Sequence, residues 1–165
     1  MPFLSPKQLG KVYRQIATIK PRLLGVDVGT MNVGIALSDP SLRMAIPLTT
    51  LNRRDCCLKG PENPLVKILK ENRAFAMIVG FPLLLNDEES LQCEDIKLFV
   101  HSFETNTQIA LPVVLHNEAY TTQIAMDRFA HRRKRDWNRG LKRKDEGAAA
   151  VILQEYLDYY NPADV

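Results

Sequence analysis

Apolar positions along the chain fall into short unbroken runs and longer stretches with helical spacing. Leu9, Val12, Tyr13 and Ile16 recur at i, i+3, i+4 and i+7, the stripe of a short amphipathic helix with Ser5-Pro6 as its cap and first-turn proline. Leu23–Val28 and Val33–Leu37 are apolar runs separated by Gly29-Thr30-Met31-Asn32, which predicts two strands of a β-hairpin. Met44–Leu51 predicts a third strand and Phe75–Val79 a fourth that ends in Gly80-Phe81-Pro82. Leu111–Leu115 predicts a fifth, ending at His116-Asn117-Glu118. Helices are predicted over Pro64–Glu71, from the acidic turn Asp87-Glu88-Glu89 to about Phe103, over Thr121–Phe129, and from Asp145 to about Tyr159.

Three strands followed by helix–strand–helix–strand–helix is an α/β order. It implies a mixed five-stranded sheet, a hairpin-connected half joined to a crossover-connected half, with helices on its faces. Sites in such sheets lie at the carboxyl ends of the parallel strands. Those ends carry Asp27, Gly80-Phe81-Pro82 and Glu118, which are expected to meet at one edge. Asp27 stands out because a carboxylate inside a core-quality strand is costly to bury unless a cation or donors compensate it. Gly25, Gly29 and Gly34 leave room nearby for backbone or a ligand. A metal or phosphate site is the reading this stretch favours.

Composition adds bounds. The 165 residues are 45% hydrophobic and 25% charged, an ordinary globular balance in a chain long enough for one self-sufficient core. No apolar run reaches eighteen residues, so no membrane span is expected. A secretory signal is not evident, and the expected address is intracellular, cytoplasmic by default, with organelle and nucleus as alternatives. Cys56, Cys57 and Cys93 form no CxxC pair and suggest reduced thiols: Cys93 in the core, Cys56 and Cys57 exposed in a polar loop. The formal charge of +3 is unevenly spread. His131–Lys144 holds eight Lys/Arg against Asp136 alone, leaving fourteen basic and eighteen acidic residues elsewhere. Such concentration marks a polyanion partner. The expected organisation is a basic amphipathic extension over 1–21 and a domain over 22–160, with 131–144 as a flexible basic loop.

Phosphodiester hydrolysis by two metals needs carboxylates converging from several elements. Asp27, Glu118 and Asp145 are suitably placed, although Glu118 and Asp145 also sit where helix caps do. Oxygen donors suit Mg²⁺ or Mn²⁺, and no His/Cys cluster suggests zinc. Nor is a Ser-His-Asp or Cys-His arrangement readable; His116, at a strand end, is expected simply to pack. In the basic segment, Arg132, Arg133, Lys134, Arg135, Arg139, Lys142, Arg143 and Lys144 could grip a sugar-phosphate backbone, and Trp137 could stack on an unpaired base.

LLGVDVGTMNVGIALSD resembles the opening motif of the YqgF/RuvX family, and AMIVGFPL, LPVVLHNEAYTT and KDEGAAAVILQEYL match further blocks in order. These are RNase H-like nucleases described as Holliday-junction-resolvase-like and linked to maturation of the 5′ end of 16S ribosomal RNA. The resemblance spans Leu23 to about Leu157. It implies a ribonuclease-H-like fold with an acidic triad on Asp27, Glu118 and Asp145 ligating Mg²⁺ or Mn²⁺. Gly29 and Thr30 would lie against the scissile phosphate, and Thr121 and Thr122 would orient Glu118 or touch the substrate backbone. The implied function is a metal-dependent endonuclease on structured nucleic acid, RNA favoured over branched DNA, with no membrane partner and no oligomeric state specified.

The chain departs from the family where basic residues are usual and it has Met31 and Asn32, and where Asp-Glu-Arg reads Asn117-Glu118-Ala119. Fewer cations weaken the hold on a polyanion and the stabilisation of transition-state charge. Two other readings follow: a nucleic-acid-binding module with weakened or lost catalysis, and a resolvase on branched DNA. A sugar-kinase-like ATPase built on the DxGT turn needs a second lobe for which the chain has no room.

Overall fold

The computed structural model describes residues 3–82, 90–117 and 144–164, the side chains of 144–146 excepted. The predicted acidic turn at Asp87-Glu88-Glu89 and the predicted helix at Thr121–Phe129 lie outside the described residues.

Five strands form one sheet in the order β3-β2-β1-β4-β5. They are β1 (Arg22–Val28), β2 (Asn32–Ser38), β3 (Ala45–Asn52), β4 (Ala74–Phe81) and β5 (Val113–Asn117). β1, β2 and β3 pair antiparallel, whereas β1, β4 and β5 run parallel. This is the mixed α/β sheet expected from the sequence, with the ribonuclease-H-like strand order.

β1 is central because its sequence is apolar on both faces, as a strand sandwiched between helices requires. Leu24, Val26 and Val28 join Ile35, Met77 and Val79 in one core. That core is covered by α2 (Pro64–Glu71) and α3 (Leu91–Thr107), which contribute Leu65, Leu69, Ile96, Phe99 and Phe103. On the opposite face, Leu23, Ala36, Ile78 and Val114 pack against Leu9 of α1 (Pro6–Ile16) and against Ala149, Ala150, Ile152, Leu153 and Tyr156 of α4 (Lys144–Tyr160). Helices thus cover both faces.

Three sequence expectations are corrected. β5 begins and ends two residues later than Leu111–Leu115, and β4 continues through Gly80 and Phe81 rather than turning there. The register explains both, since Gly80 pairs with His116 and Phe81 with Asn117, and ladder pairing does not require apolar side chains. Cys56 is fully buried rather than exposed. A short 3-10 turn at Asp55–Cys57 folds its thiol into the α2/α3 core, and Asn63 Nδ2 donates to its carbonyl at 2.8 Å. Burial pushes this thiol up to about 12, so it is an inert core group. Cys57 is exposed and Cys93 buried, both as expected.

Candidate active site

Asp27 is the next-to-last residue of β1 and half-buried. By strand alternation it shares the face of Leu23 and Gly25, the face under α4. Its antiparallel partner is Gly34. On the other side, Val26 pairs with Val79, so Gly80 is the residue one step on. Both flanking positions are glycine, so neither neighbouring strand sets a Cβ directly beside Asp27.

The surrounding glycines serve the protein's own backbone. A Cβ on Gly25 would lie 2.7 Å from the Ala149 carbonyl oxygen and 2.7 Å from Leu153 Cβ, so Gly25 is the groove into which α4 packs. Asp27 lies two residues beyond this contact along β1, about 7 Å. Asp145 lies one turn before Ala149 in the first turn of α4, about 6 Å. One close helix–strand contact therefore relates the two segments. A Cβ on Gly29 would lie 2.8 Å from the Asn32 carbonyl oxygen, which accepts the Gly29 N–H at 2.9 Å. Glycine is what lets this turn close.

Arg53, just after β3, braces that turn. Its backbone N–H donates to the Met31 carbonyl at 2.9 Å, and its guanidinium donates to the Gly29 carbonyl at 2.9 Å. The same guanidinium makes two 2.8 Å bonds to the Asp95 carboxylate on α3 and lies 5.5 Å from the Phe99 ring centroid. The Asp95 hydrogen bond raises Arg53, and the Arg53 hydrogen bond holds Asp95 below the usual carboxylate range. Nothing in the polar stretch Asn52–Asp55 signals this role. Thr30, Met31 and Asn32 form the exposed tip, with Met31 75% exposed.

A second unpredicted feature is a buried polar pair. His116 Nε2 lies 2.9 Å from Glu155 Oε1, with the side chains 7% and 6% exposed. This ties the carboxyl end of β5, beside Gly80, to α4. The strand position of His116 was legible, but its partner lies 39 residues away.

Of the expected triad, Asp27 is described in full and Asp145 by its backbone. Glu118 lies outside the described residues, as do Thr121, Thr122, Ala119, Arg132, Arg133, Lys134, Arg135, Trp137, Arg139, Lys142 and Arg143; Lys144 begins α4 by its backbone. Among the described residues no three His, Cys, Asp or Glu side chains converge as a metal site. Asp27 itself offers carboxylate oxygen, the donor type that suits a hard divalent cation.

The sheet order, with a carboxylate at the end of its central strand, defines an α/β protein of the ribonuclease-H-like class. The chain belongs to the RuvX family: the sequence model described as "RuvX: Holliday junction resolvase" matches residues 21–159. A relative in Roseiflexus sp. (strain RS-1), named "Putative pre-16S rRNA nuclease", is 33% identical over 139 residues, covering 83% of this chain and 94% of its own. A Dehalococcoides mccartyi relative of the same name is 36% identical over 137 residues, covering 82% and 96%. Among solved structures, the fowlpox virus Holliday junction resolvase matches at 14% identity and a TM-score of 0.44, covering 83% of this chain and 98% of that one.

Proposed function

We propose that the protein is a nuclease that hydrolyses phosphodiester bonds in structured nucleic acid, most directly the 5′ end of a ribosomal RNA precursor. The observation that carries this is family membership across 21–159 together with a half-buried Asp27 at the end of the central strand, paired across from Gly34. We take 22–160 as the nuclease domain and 1–21 as an extension of it.

Asp27, Glu118 and Asp145 would hold Mg²⁺ or Mn²⁺, all three being oxygen donors suited to these ions. When bound, such ions activate water and neutralise charge on the scissile phosphate. This chain's own part is to fix Asp27 on a strand buried on both sides and to close the Gly29–Asn32 turn beside it. The Gly29 and Thr30 backbone is the segment that would lie against phosphate, held in shape by Arg53. Thr121 and Thr122 would orient Glu118. The segment from Arg132 to Lys144, with Trp137, would hold the substrate on either side of the scissile bond, giving salt-dependent affinity without sequence reading.

The test is cleavage of a pre-rRNA leader and of a four-way DNA junction with Mg²⁺ and with Mn²⁺. Asp27→Asn should lower cleavage on the order of a thousandfold or more, with an unchanged melting temperature. Wild-type rates in that variant would sink the assignment, and preference for the junction would make the substrate branched DNA. A second reading is carried by the turn tip. Met31 and Asn32 are exposed where the family usually has cations, and Arg53 is already engaged by Asp95. RNA binding without metal-dependent cleavage would select this binding-module reading.

A further inference from the structure

The family match begins at residue 21, so α1 lies outside it. Even so, α1 is built into the fold. Ser5 and Gln8 form a reciprocal capping box at its start, with Pro6 in the first turn. Leu9 is fully buried, and Tyr13 packs on Phe75 with ring centroids 5.7 Å apart. Ahead of the helix, Phe3 bridges to Val113 and the Leu4 N–H donates to the Val113 carbonyl at 2.8 Å. The segment thereby covers the edge of β5 as well as the face beneath it.

The outer side of this helix has one sign of charge. Lys7, Lys11 and Arg14 follow at i, i+4 and i+7, all exposed. Lys20 is exposed just beyond, and residues 1–22 contain no acid. The apolar stripe that would otherwise let such a helix enter a membrane surface is turned onto the core, with Leu9 buried and Val12, Tyr13 and Ile16 partly buried against it. The helix also presents Lys7 and Lys11 one turn apart on its exposed side, arranged as an anionic backbone would meet them.

We propose that α1 is an added nucleic-acid-backbone contact that extends the substrate-binding surface beyond the residues the family model matches. The proposal rests on the nuclease reading above. Phe75 and Val113 lie at the amino ends of the parallel strands and Asp27 at the carboxyl end of β1. The five residue steps from Arg22 to Asp27 span about 17 Å, roughly half a helical turn of duplex. The cations of α1 would therefore touch phosphates well away from the scissile bond, contributing affinity and no chemistry.

The experiment is an anisotropy titration of a labelled pre-rRNA leader between 50 and 300 mM KCl. It compares wild type, Lys7→Gln/Lys11→Gln, and the control Lys59→Gln/Lys67→Gln on the α2 side. The α1 variant should bind more weakly at every salt concentration. Its plot of log affinity against log salt should be shallower by about 1.4–1.8, the counterions of two lost contacts. Cleavage rate at saturating RNA and melting temperature should match wild type, and the control should keep the wild-type slope. An unchanged slope in the α1 variant, or an equal loss in the control, overturns the proposal alone. Wild-type protein that binds neither the leader nor a four-way DNA junction overturns the nuclease reading with it. Binding of phosphatidylserine vesicles that depends on Lys7 and Lys11, with RNA affinity unaffected by them, would assign the helix to membranes instead.

Discussion

The two faces of the sheet are built from the same strands and differ in kind. Under α2 and α3 the core is a largely apolar block that takes in Cys56 and Cys93, and the buried Asn63 there caps α2 by accepting the Leu65 N–H and donates to the Cys56 carbonyl. Under α1 and α4 the apolar packing is interrupted by Asp27, Ser38, the His116–Glu155 pair and Tyr156, whose buried hydroxyl has no hydrogen-bond partner among the described residues. The Ser38 hydroxyl accepts the Leu23 N–H at 2.9 Å. One face holds the fold, and the other holds it while carrying Asp27 and Asp145, the acids of the proposed site. If that division is right, equal damage to the two faces should have unequal effects on activity.

The largest stability effect belongs to the apolar face. Phe103 is 2% exposed, and Phe103→Ala should cost about 3–5 kcal/mol in urea unfolding. At a temperature where the variant is still folded, cleavage per folded molecule should stay within a few-fold of wild type. A collapse of activity there would mean the faces are not separable.

Gly25→Ala probes the other face. The new methyl meets the Ala149 carbonyl oxygen, a backbone atom, so α4 itself must shift. The expected stability loss is smaller, about 1–3 kcal/mol. Cleavage, however, should fall by about a hundredfold or more, because α4 carries Asp145 and small displacements of reacting groups are costly. Stability and activity falling in the same proportion as for Phe103→Ala would remove the distinction drawn here.

How much of this was readable in the sequence follows from the range of the interactions. The strands showed because β1, β2 and β4 are apolar runs, and α1 because its stripe has helical spacing; both signals are local. The ends of β4 and β5 were misplaced because their pairing at Gly80–His116 and Phe81–Asn117 is a backbone matter that side-chain hydropathy does not encode. Cys56 was misread because its segment is polar throughout, while its burial depends on α2 and α3 folding over it. Arg53 and Asp95 are 42 residues apart, and no periodicity links them. Asp27 was legible for the opposite reason. A charge in an apolar run is a local anomaly, and its cross-strand partner is Gly34. The expectation that the other glycines leave room for backbone or a ligand resolved toward backbone at Gly25, where α4 enters, and at Gly29, where the turn closes.

The smallest expected effect lies where the two faces communicate. Asp95 sits on α3, on the apolar side, yet through Arg53 it reaches the Gly29 carbonyl beside Asp27. Asp95 is 48% exposed and Arg53 18%, so solvent screens the pair and a coupling of about 0.5–1 kcal/mol is the reasonable scale. The Asp95 carboxyl titrates below its ordinary value in the folded protein. Its contribution to stability is therefore complete above the unfolded carboxylate pKa, about 3.9, and fades as pH falls through the lower folded value. A double-mutant cycle of Arg53→Met and Asp95→Asn should show the coupling at pH 7 and lose it progressively as pH falls below about 3.9, through the lowered folded value. Coupling that is constant over this range would mean the bonds to Arg53 do not depend on the charge of Asp95. The functional half of the prediction is separate. Arg53→Met frees the Gly29–Asn32 turn, so it should raise KM for nucleic acid and lower the cleavage rate more than its stability loss accounts for. Asp95→Asn keeps a hydrogen-bond acceptor for the guanidinium and should recover most of both. An equal defect in the two variants would place the role in the ion pair as a whole rather than in the grip of Arg53 on the turn.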